Sequence, residues 1–354
     1  MSILFSKLSL KHITLKNRLV VSPMCQYSAL DGFANNWHLV HLGQFATGGA
    51  AAIIQEATAV APEGRISAGD LGIWKDEHIE KFKEITTFIK EHHAIPGIQL
   101  AHAGRKASTG KPWENHYQIA PQAENGWQTV APSALAFRPE KEVAPLPMSI
   151  EEIKETIADF KIAARRAVLA GYDIIEIHAA HGYLIHQFLS PLSNIRTDQY
   201  GGSFQNRILF LLEIVDAIQQ ELTTQSLWVR ISATDWADDG WDLGQSIALA
   251  EELKKRGVEV IDVSTGGAVV YQKINPQQDY QLPFAAAIKK ETGITTATVG
   301  LIKEAVHAEQ ILQDNKADII MIARAFLKDP HLPFHFAEVL GDPIDWPSQY
   351  ERAK

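Results

Sequence analysis

Asp173-Ile174-Ile175-Glu176-Ile177-His178 is a short run rich in isoleucine, and the chain after it carries Ile208, Leu211, Leu212, Val215, Ile218 and Leu222 at spacings of three and four. The run is too short for a helix and has little polar alternation, the pattern of a strand buried on both faces of a parallel sheet. The later residues share one face of a helix. Together they make one strand–helix unit, and the rest of the chain repeats it. Strand runs of the same kind fall at 18–22, 51–56, 97–101, 227–232, 258–263, 295–299 and 318–323. Helix-period segments fit 77–92, 244–256, 284–290, 303–314 and 332–340. Another opens with Ser149 and Glu152, a pair that can cap exposed amides, and continues through Ile153, Ile157, Phe160 and Ala164. Eight such units in succession predict an α/β fold, a closed (β/α)8 TIM barrel in preference to an open doubly wound sheet.

Residues 1–17 suggest an N-terminal hairpin and 341–354 a C-terminal tail. The interval 104–148, after the third strand, is different in kind. It gathers Pro112, Trp113, Trp127, Pro132, Pro139, Pro145 and Pro147 without clear periodicity. So long an irregular connection is expected to be an ordered lid over one barrel mouth. The whole of 1–354 is expected to be a single domain.

With 46% hydrophobic and 21% charged residues, the 354-residue chain can bury a large core. A net charge of −9 argues against nucleic acid or an anionic membrane as partner. Cys25 is the sole cysteine, which excludes an intramolecular disulfide and any cysteine-rich metal or iron–sulfur site. The amino terminus lacks the charged and apolar regions of a signal peptide, and no apolar run could span a bilayer. A soluble, cytoplasmic protein is the expectation.

In a parallel barrel the active site is built from strand carboxyl ends. Here those positions form a polar ring: Ser22-Pro23-Met24-Cys25, Ala57, Gln99, then His178 with His181 and Tyr183 just beyond. Arg230, Ser264-Thr265-Gly266-Gly267, Gly300 and Ala323-Arg324 complete it. Asn17-Arg18-Leu19-Val20-Val21-Ser22-Pro23-Met24-Cys25-Gln26-Tyr27 resembles the first strand of the Old Yellow Enzyme family of FMN-dependent ene-reductases. Gln99-Leu100-Ala101-His102-Ala103-Gly104-Arg105-Lys106 resembles its third strand and loop. The stretch from His178-Ala179-Ala180-His181-Gly182-Tyr183, through Gln187-Phe188-Leu189-Ser190-Pro191, Asn194, Arg196 and Tyr200-Gly201-Gly202-Ser203, to Asn206-Arg207 is similar to its longest signature. The likeness covers nearly the whole chain. Cys25, His181 and Tyr350-Glu351-Arg352 are similar to the bacterial thermophilic-like, xenobiotic reductase-like subclass.

The resemblance implies FMN as bound cofactor, NADPH or NADH as reductant, and activated alkenes such as enones, enals and maleimides as substrates. A flavin needs donors and acceptors for its pyrimidine edge and a positive charge near N1 and O2, where reduction places negative charge. Gln99 and Arg230 match those roles, with Ser22, Pro23, Met24 and Ala57 offering mainly backbone. Cys25 matches the residue that tunes the flavin, although an isolated cysteine is more often a buried apolar group. His178 and His181 could donate to a substrate carbonyl. Their alternatives are a core-plus-rim pair or a metal site, the latter wanting a third ligand that no obvious strand end supplies. Tyr183 fits the proton donor to the α-carbon, against a plain rim aromatic.

Gly300, Ala323 and Arg324 fit the phosphate loops, with an alanine where the family commonly has glycine; Gly266 and Gly267 are weaker candidates. Tyr27 is expected in the substrate pocket. Arg352 is expected to enter a neighbouring subunit's site in a homodimer or homotetramer, where composition alone would suggest a frayed end. The rival readings are a flavin-free barrel lyase or isomerase and a non-catalytic FMN- or ligand-binding relative.

Overall fold

The structure, a computed structural model, describes residues 1–114 and 117–354; Asn115 and His116, within the expected lid, lie outside the described residues. Eight strands form a closed barrel, each hydrogen-bonded to its neighbours in parallel: β1 (Leu19–Val21), β2 (Ala52–Ala59), β3 (Ile95–Ala101), β4 (Ile174–Ala179), β5 (Ser226–Ser232), β6 (Val260–Ser264), β7 (Thr295–Val299) and β8 (Ile319–Ile322). β8 pairs back onto β1 through Ile320–Leu19 and Met321–Val20 and closes the ring. The expected runs are the observed strands, with ends displaced by at most three residues.

Around the barrel lie α1 (Asn36–Thr47), α2 (Ile79–Glu91), α3 (Ile150–Leu169), α4 (Phe204–Gln219), α5 (Leu243–Lys255), α6 (Leu282–Thr292), α7 (Ala305–Gln313) and α8 (Leu332–Leu340). α3 starts with the expected reciprocal cap: the Glu152 amide donates to Ser149 Oγ at 3.2 Å and the Ser149 amide to Glu152 Oε2 at 2.7 Å. α1 has no counterpart among the expected helices. Its first turn is capped by Asn35 and His38, and it buries His38 and His41 beside Leu42 and Phe45. Histidines on the buried face hide its amphipathic pattern.

Strand residues alternate between two apolar compartments. Ile175 and Ile177 of β4 turn outward to the layer beneath the helices. Ile174 turns inward and packs with Val20, Ile54, Trp228, Val260, Ala297, Ile319 and Met321. That inner packing is tight. A Cβ on Gly97 of β3 would come within 2.4 Å of Ile54 Cδ1 and 3.1 Å of Ile174 Cβ. The antiparallel hairpin Leu8–Ser9/Thr14–Leu15 closes the amino-terminal end, with buried Leu15 joining the inner cluster.

The lid interval is pinned to the opposite end. Arg105 donates to the Leu135 and Ala268 carbonyls at 3.0 and 2.6 Å, and Arg196 to the Pro132 and Met148 carbonyls at 3.0 and 2.6 Å. Within it Val130–Ala131 pairs with Leu146–Pro147. The tail is not frayed: Trp346 stacks on Phe334 at 4.3 Å between ring centres and Tyr350 meets His331 edge-on at 5.7 Å. Among the described residues no helix is long and apolar enough to cross a membrane.

Candidate functional site

Two positions beyond the inner apolar cluster, the same faces of the same strands become polar. Register sets Gln99 opposite Glu176, His178 opposite Arg230, and Arg230 opposite Asp262. Gln99 Nε2 donates to Glu176 Oε1 at 2.8 Å, Arg230 Nε lies 3.1 Å from Asp262 Oδ2, and Arg230 Nη1 donates to Ser22 Oγ at 3.1 Å. Glu176 and Asp262 are completely buried. Burial and the Asp262 charge push the Glu176 carboxyl up to about 8, against the pull of Arg230 and Gln99; burial likewise raises Asp262, opposed by Arg230. Gln99 and Arg230 thus each engage a buried carboxylate, Glu176 and Asp262, that no motif in the sequence singles out. Both lie two residues before a recognised site position, Glu176 before His178 and Asp262 before Ser264. Strand period alone would have put them on the inner face.

At the rim, His178 meets His181 edge-on at 5.1 Å and Tyr183 at 5.0 Å. Burial, then the nearby Arg230 charge, drives both imidazoles well below the ordinary histidine range, so they stay neutral. His178 Nδ1 is buried without a partner among the described residues, whereas His181 Nε2 lies 2.7 Å from Ser264 Oγ. His181 adopts a left-handed φ of 59°, held from three sides. Its amide donates to Ser232 Oγ at 2.9 Å, its carbonyl accepts from Lys106 Nζ at 2.7 Å, and Gly267 lies against its backbone. A Cβ on Gly182 would sit 2.0 Å from the Gly267 oxygen, and one on Gly267 2.5 Å from His181 Cα. Gly267 therefore serves loop-to-loop packing, while Gly266, at a left-handed φ of 73°, serves the turn's own conformation. Gly182 is fixed further by donating to His186 Nδ1 at 2.8 Å, with His186 Nε2 2.9 Å from the buried Asp235 carboxylate.

Tyr183 opens onto a cavity of about 210 Å³ that Tyr27, Lys106, Phe137 and Arg138 also line, so one wall belongs to the lid. Burial holds the Tyr183 phenol well above its ordinary value. Lys106, brought down to about 7 by burial and its cationic neighbours, stands 5.1 Å from the Tyr183 ring centre. Cys25 and Tyr27 are within hydrogen-bonding reach of one another, and burial together with Glu56 and Asp70 raises the thiol, keeping it uncharged. Ala57 follows the irregularity in β2 and, with Tyr183 and Asp70, lines a smaller cavity. Pro23 and Met24 continue from Ser22, and the Met24 carbonyl accepts from Gln26 at 2.8 Å.

A second cavity, of about 190 Å³, runs from Arg230 and Met321 to Gly300, Ala323 and Arg324. Arg230, Lys303 and Arg324 make its wall cationic, a lining that could hold a ring's polar edge and a phosphate. Gly300 is required: its φ is 123°, and a Cβ would lie 2.7 Å from Gln281 Nε2. Ala323 has φ −106°, so the position does not call for the left-handed backbone that favours glycine. Lys106 and Gln281 have no assignment from the sequence, and Ser264 only a place in the ring of strand ends, because their roles depend on partners far along the chain. Arg352 sits on the exposed turn Ser348–Ala353 and lines neither cavity. No cluster of three potential metal ligands occurs among the described residues.

A family model, the NADH:flavin oxidoreductase / NADH oxidase family, matches residues 3–342. The "NADPH dehydrogenase" of Geobacillus sp. (strain WCH70) is 47% identical over 99% of this chain and 98% of its own length. That of Bacillus subtilis (strain 168) is likewise 47% identical, over 99% and 98%. Among solved structures, morphinone reductase superposes with a TM-score of 0.80 at 28% identity, covering 98% of this chain and 92% of that one. A 2-naphthoyl-CoA reductase complex gives 0.84 at 25% identity over 96% of this chain, which spans only 52% of that longer protein. The barrel, its polar inner layer and these likenesses agree: the chain belongs to the NADH:flavin oxidoreductase / NADH oxidase family, the Old Yellow Enzyme family of FMN-dependent oxidoreductases.

Proposed function

We propose that the protein is a cytoplasmic ene-reductase, reducing the carbon–carbon double bond of α,β-unsaturated carbonyl compounds at the expense of NADPH. The reductant follows the curated relatives, which carry the name NADPH dehydrogenase. Bound FMN would supply reversible hydride chemistry, accepting from a reduced nicotinamide and giving to the alkene β-carbon. Gln99 and Arg230 would hold its pyrimidine edge, Ser22, Pro23, Met24 and Ala57 would bound the ring, Cys25 would tune it, and Gly300, Ala323 and Arg324 would take the phosphate.

The observation that carries this reading is the packing of His178 against both His181 and Tyr183 at the rim. Neutral imidazoles can each offer one N–H to a carbonyl oxygen on which negative charge develops, stabilising the transition state more than the ground state. A phenol that keeps its proton can give it to the α-carbon and recover it from solvent. Tyr27 and the lid wall would then bound the alkene. Anaerobic stopped-flow tests this. NADPH should bleach the bound flavin and 2-cyclohexenone should restore its colour; a flavin that no activated alkene reoxidises would instead mark a ligand-binding relative. Tyr183→Phe should slow reoxidation by roughly 10²–10⁴-fold and leave bleaching nearly intact; equal losses in both half-reactions would refute the proton-donor role.

The reading extends to a homodimer or homotetramer in which Arg352 completes a neighbour's pocket. Its support is the exposed position of Arg352, outside its own chain's cavities. Deleting 348–354 should weaken both assembly and turnover, and a truncated protein unchanged in both would overturn it.

A further inference from the structure

Among and beside the expected flavin contacts Gln99 and Arg230, the interior holds one guanidinium and two carboxylates, Arg230, Glu176 and Asp262, all within a packed barrel. The arrangement is uneven. Asp262 takes the close ion pair with Arg230 at 3.1 Å, although neither of its oxygens has a hydrogen-bond partner among the described residues; Glu176 has no ion pair, only the neutral Gln99 amide on Oε1, and its Oε2 is likewise without a hydrogen-bond partner. An unpaired buried carboxylate is far costlier than a carboxylic acid, so the member without the cation is the one that keeps a proton. The other groups facing Glu176 do not change this. His178, two residues further along β4, is neutral, and the remaining strands turn Val20, Ile54, Ala297 and Met321 inward, with the Ser22 hydroxyl at the end of β1.

We propose that Glu176 is a positioning and proton-holding residue for the flavin: through Gln99 it orients the amide offered to the pyrimidine edge, and the proton it takes up ties flavin reduction to pH. The inference rests on Gln99 and Arg230 being flavin contacts. By accepting from Nε2, Glu176 fixes which end of the Gln99 amide is left with its oxygen free for the ring. The balance of charge is simple. Hydride addition brings two electrons and one proton and leaves the ring one unit more negative. Where Glu176 is ionised beforehand, its carboxylate takes one proton from solvent and becomes the acid, and no other bond changes. The burial that raises Glu176 to about 8 places this extra uptake above that pH, since below it the proton is already present.

The experiment is potentiometric titration of the FMN-loaded protein over about two pH units either side of 8. Each proton taken up with the two electrons changes the equilibrium tenfold per pH unit, about 30 mV. The wild-type potential should fall about 30 mV per unit more steeply above pH 8 than below it, while Glu176→Gln, which mimics the acid, keeps the shallower slope throughout. A wild-type slope that does not steepen overturns the proposal without recourse to any variant, and so does a steepening that survives in Glu176→Gln. FMN binding to apoprotein, followed by quenching of flavin fluorescence, separates the two levels of failure. If Gln99→Leu leaves FMN affinity unchanged, the flavin-contact reading has failed; if it weakens affinity while Glu176→Leu, which cannot accept from Gln99 Nε2, binds FMN like wild type, only the present proposal has.

Discussion

The inner faces of the eight strands carry two layers that differ completely in what they do. Nearer the strand amino ends, Ile174, Trp228 and Val260 pack with Val20, Ile54, Ala297 and Met321. One pleat further, Glu176, Arg230 and Asp262 hold charge in the same enclosed space, and one further again come His178, Ser232 and Ser264. The lower layer contributes apolar burial and so stability. The upper layers hold groups that burial disfavours, at a cost borne by the packing beneath them. Function in this barrel begins two residues after stability ends.

The most forceful way to break that division is in the lower layer. Trp228→Ala should lower unfolding stability by about 3–5 kcal/mol, read by denaturant titration, because it empties a fully buried site and strips Ser226 of the indole hydrogen bond. A loss under about 1 kcal/mol would mean the layer is not the structural base assigned to it.

Next in size is the rim. Gly182→Ala must place a methyl against the Gly267 carbonyl at a φ of 73°. Turnover should drop by about tenfold or more with flavin content retained, since strain of order 1–3 kcal/mol is centred beside His181 and Tyr183. Loss of flavin instead would erase the distinction between rim and floor.

A smaller effect sharpens the middle layer. Glu176 binds its proton more tightly folded than unfolded, so between its ordinary range and about 8 the folded state holds more protons and stability falls as pH rises. Apoprotein stability relative to Glu176→Gln should therefore decline with pH through that window and level off above it. Parallel curves, obtained by urea unfolding at each pH, would contradict the assignment. Smallest of all, Ser149→Ala at the α3 cap should cost about 1 kcal/mol and leave flavin binding untouched.

The same contrast explains what the sequence disclosed. The strands were legible because residues such as Ile174-Ile175 and Ile177 are buried on both sides, and α3 because its cap is local. α1 was not, since His38 and His41 lie on its buried face. The rim residues His178, His181 and Tyr183 were legible within one short motif, and Gln99 and Arg230 through their positions on strands. Glu176 and Asp262 stand inside apolar strand runs with no motif of their own, although their spacing from His178 and Ser264 carries the information. Lys106 could not be placed from its neighbours in sequence: its partners, the carbonyls of His181 and Gly267, are supplied by later strand–helix units.

The contact between Gly182 and Gly267 limits how such an enzyme can be redesigned. Two turns that touch backbone to backbone cannot be reshaped one at a time, so enlarging the pocket from that side would disturb the histidines together with the space around them. The facing wall, where Phe137 and Arg138 project from the lid, meets the rim turn through a flexible side chain instead: Lys106 Nζ stands 4.5 Å from the Phe137 ring centre and donates to the His181 carbonyl. Altering which molecules are accepted, while leaving the chemistry in place, is a task for that wall.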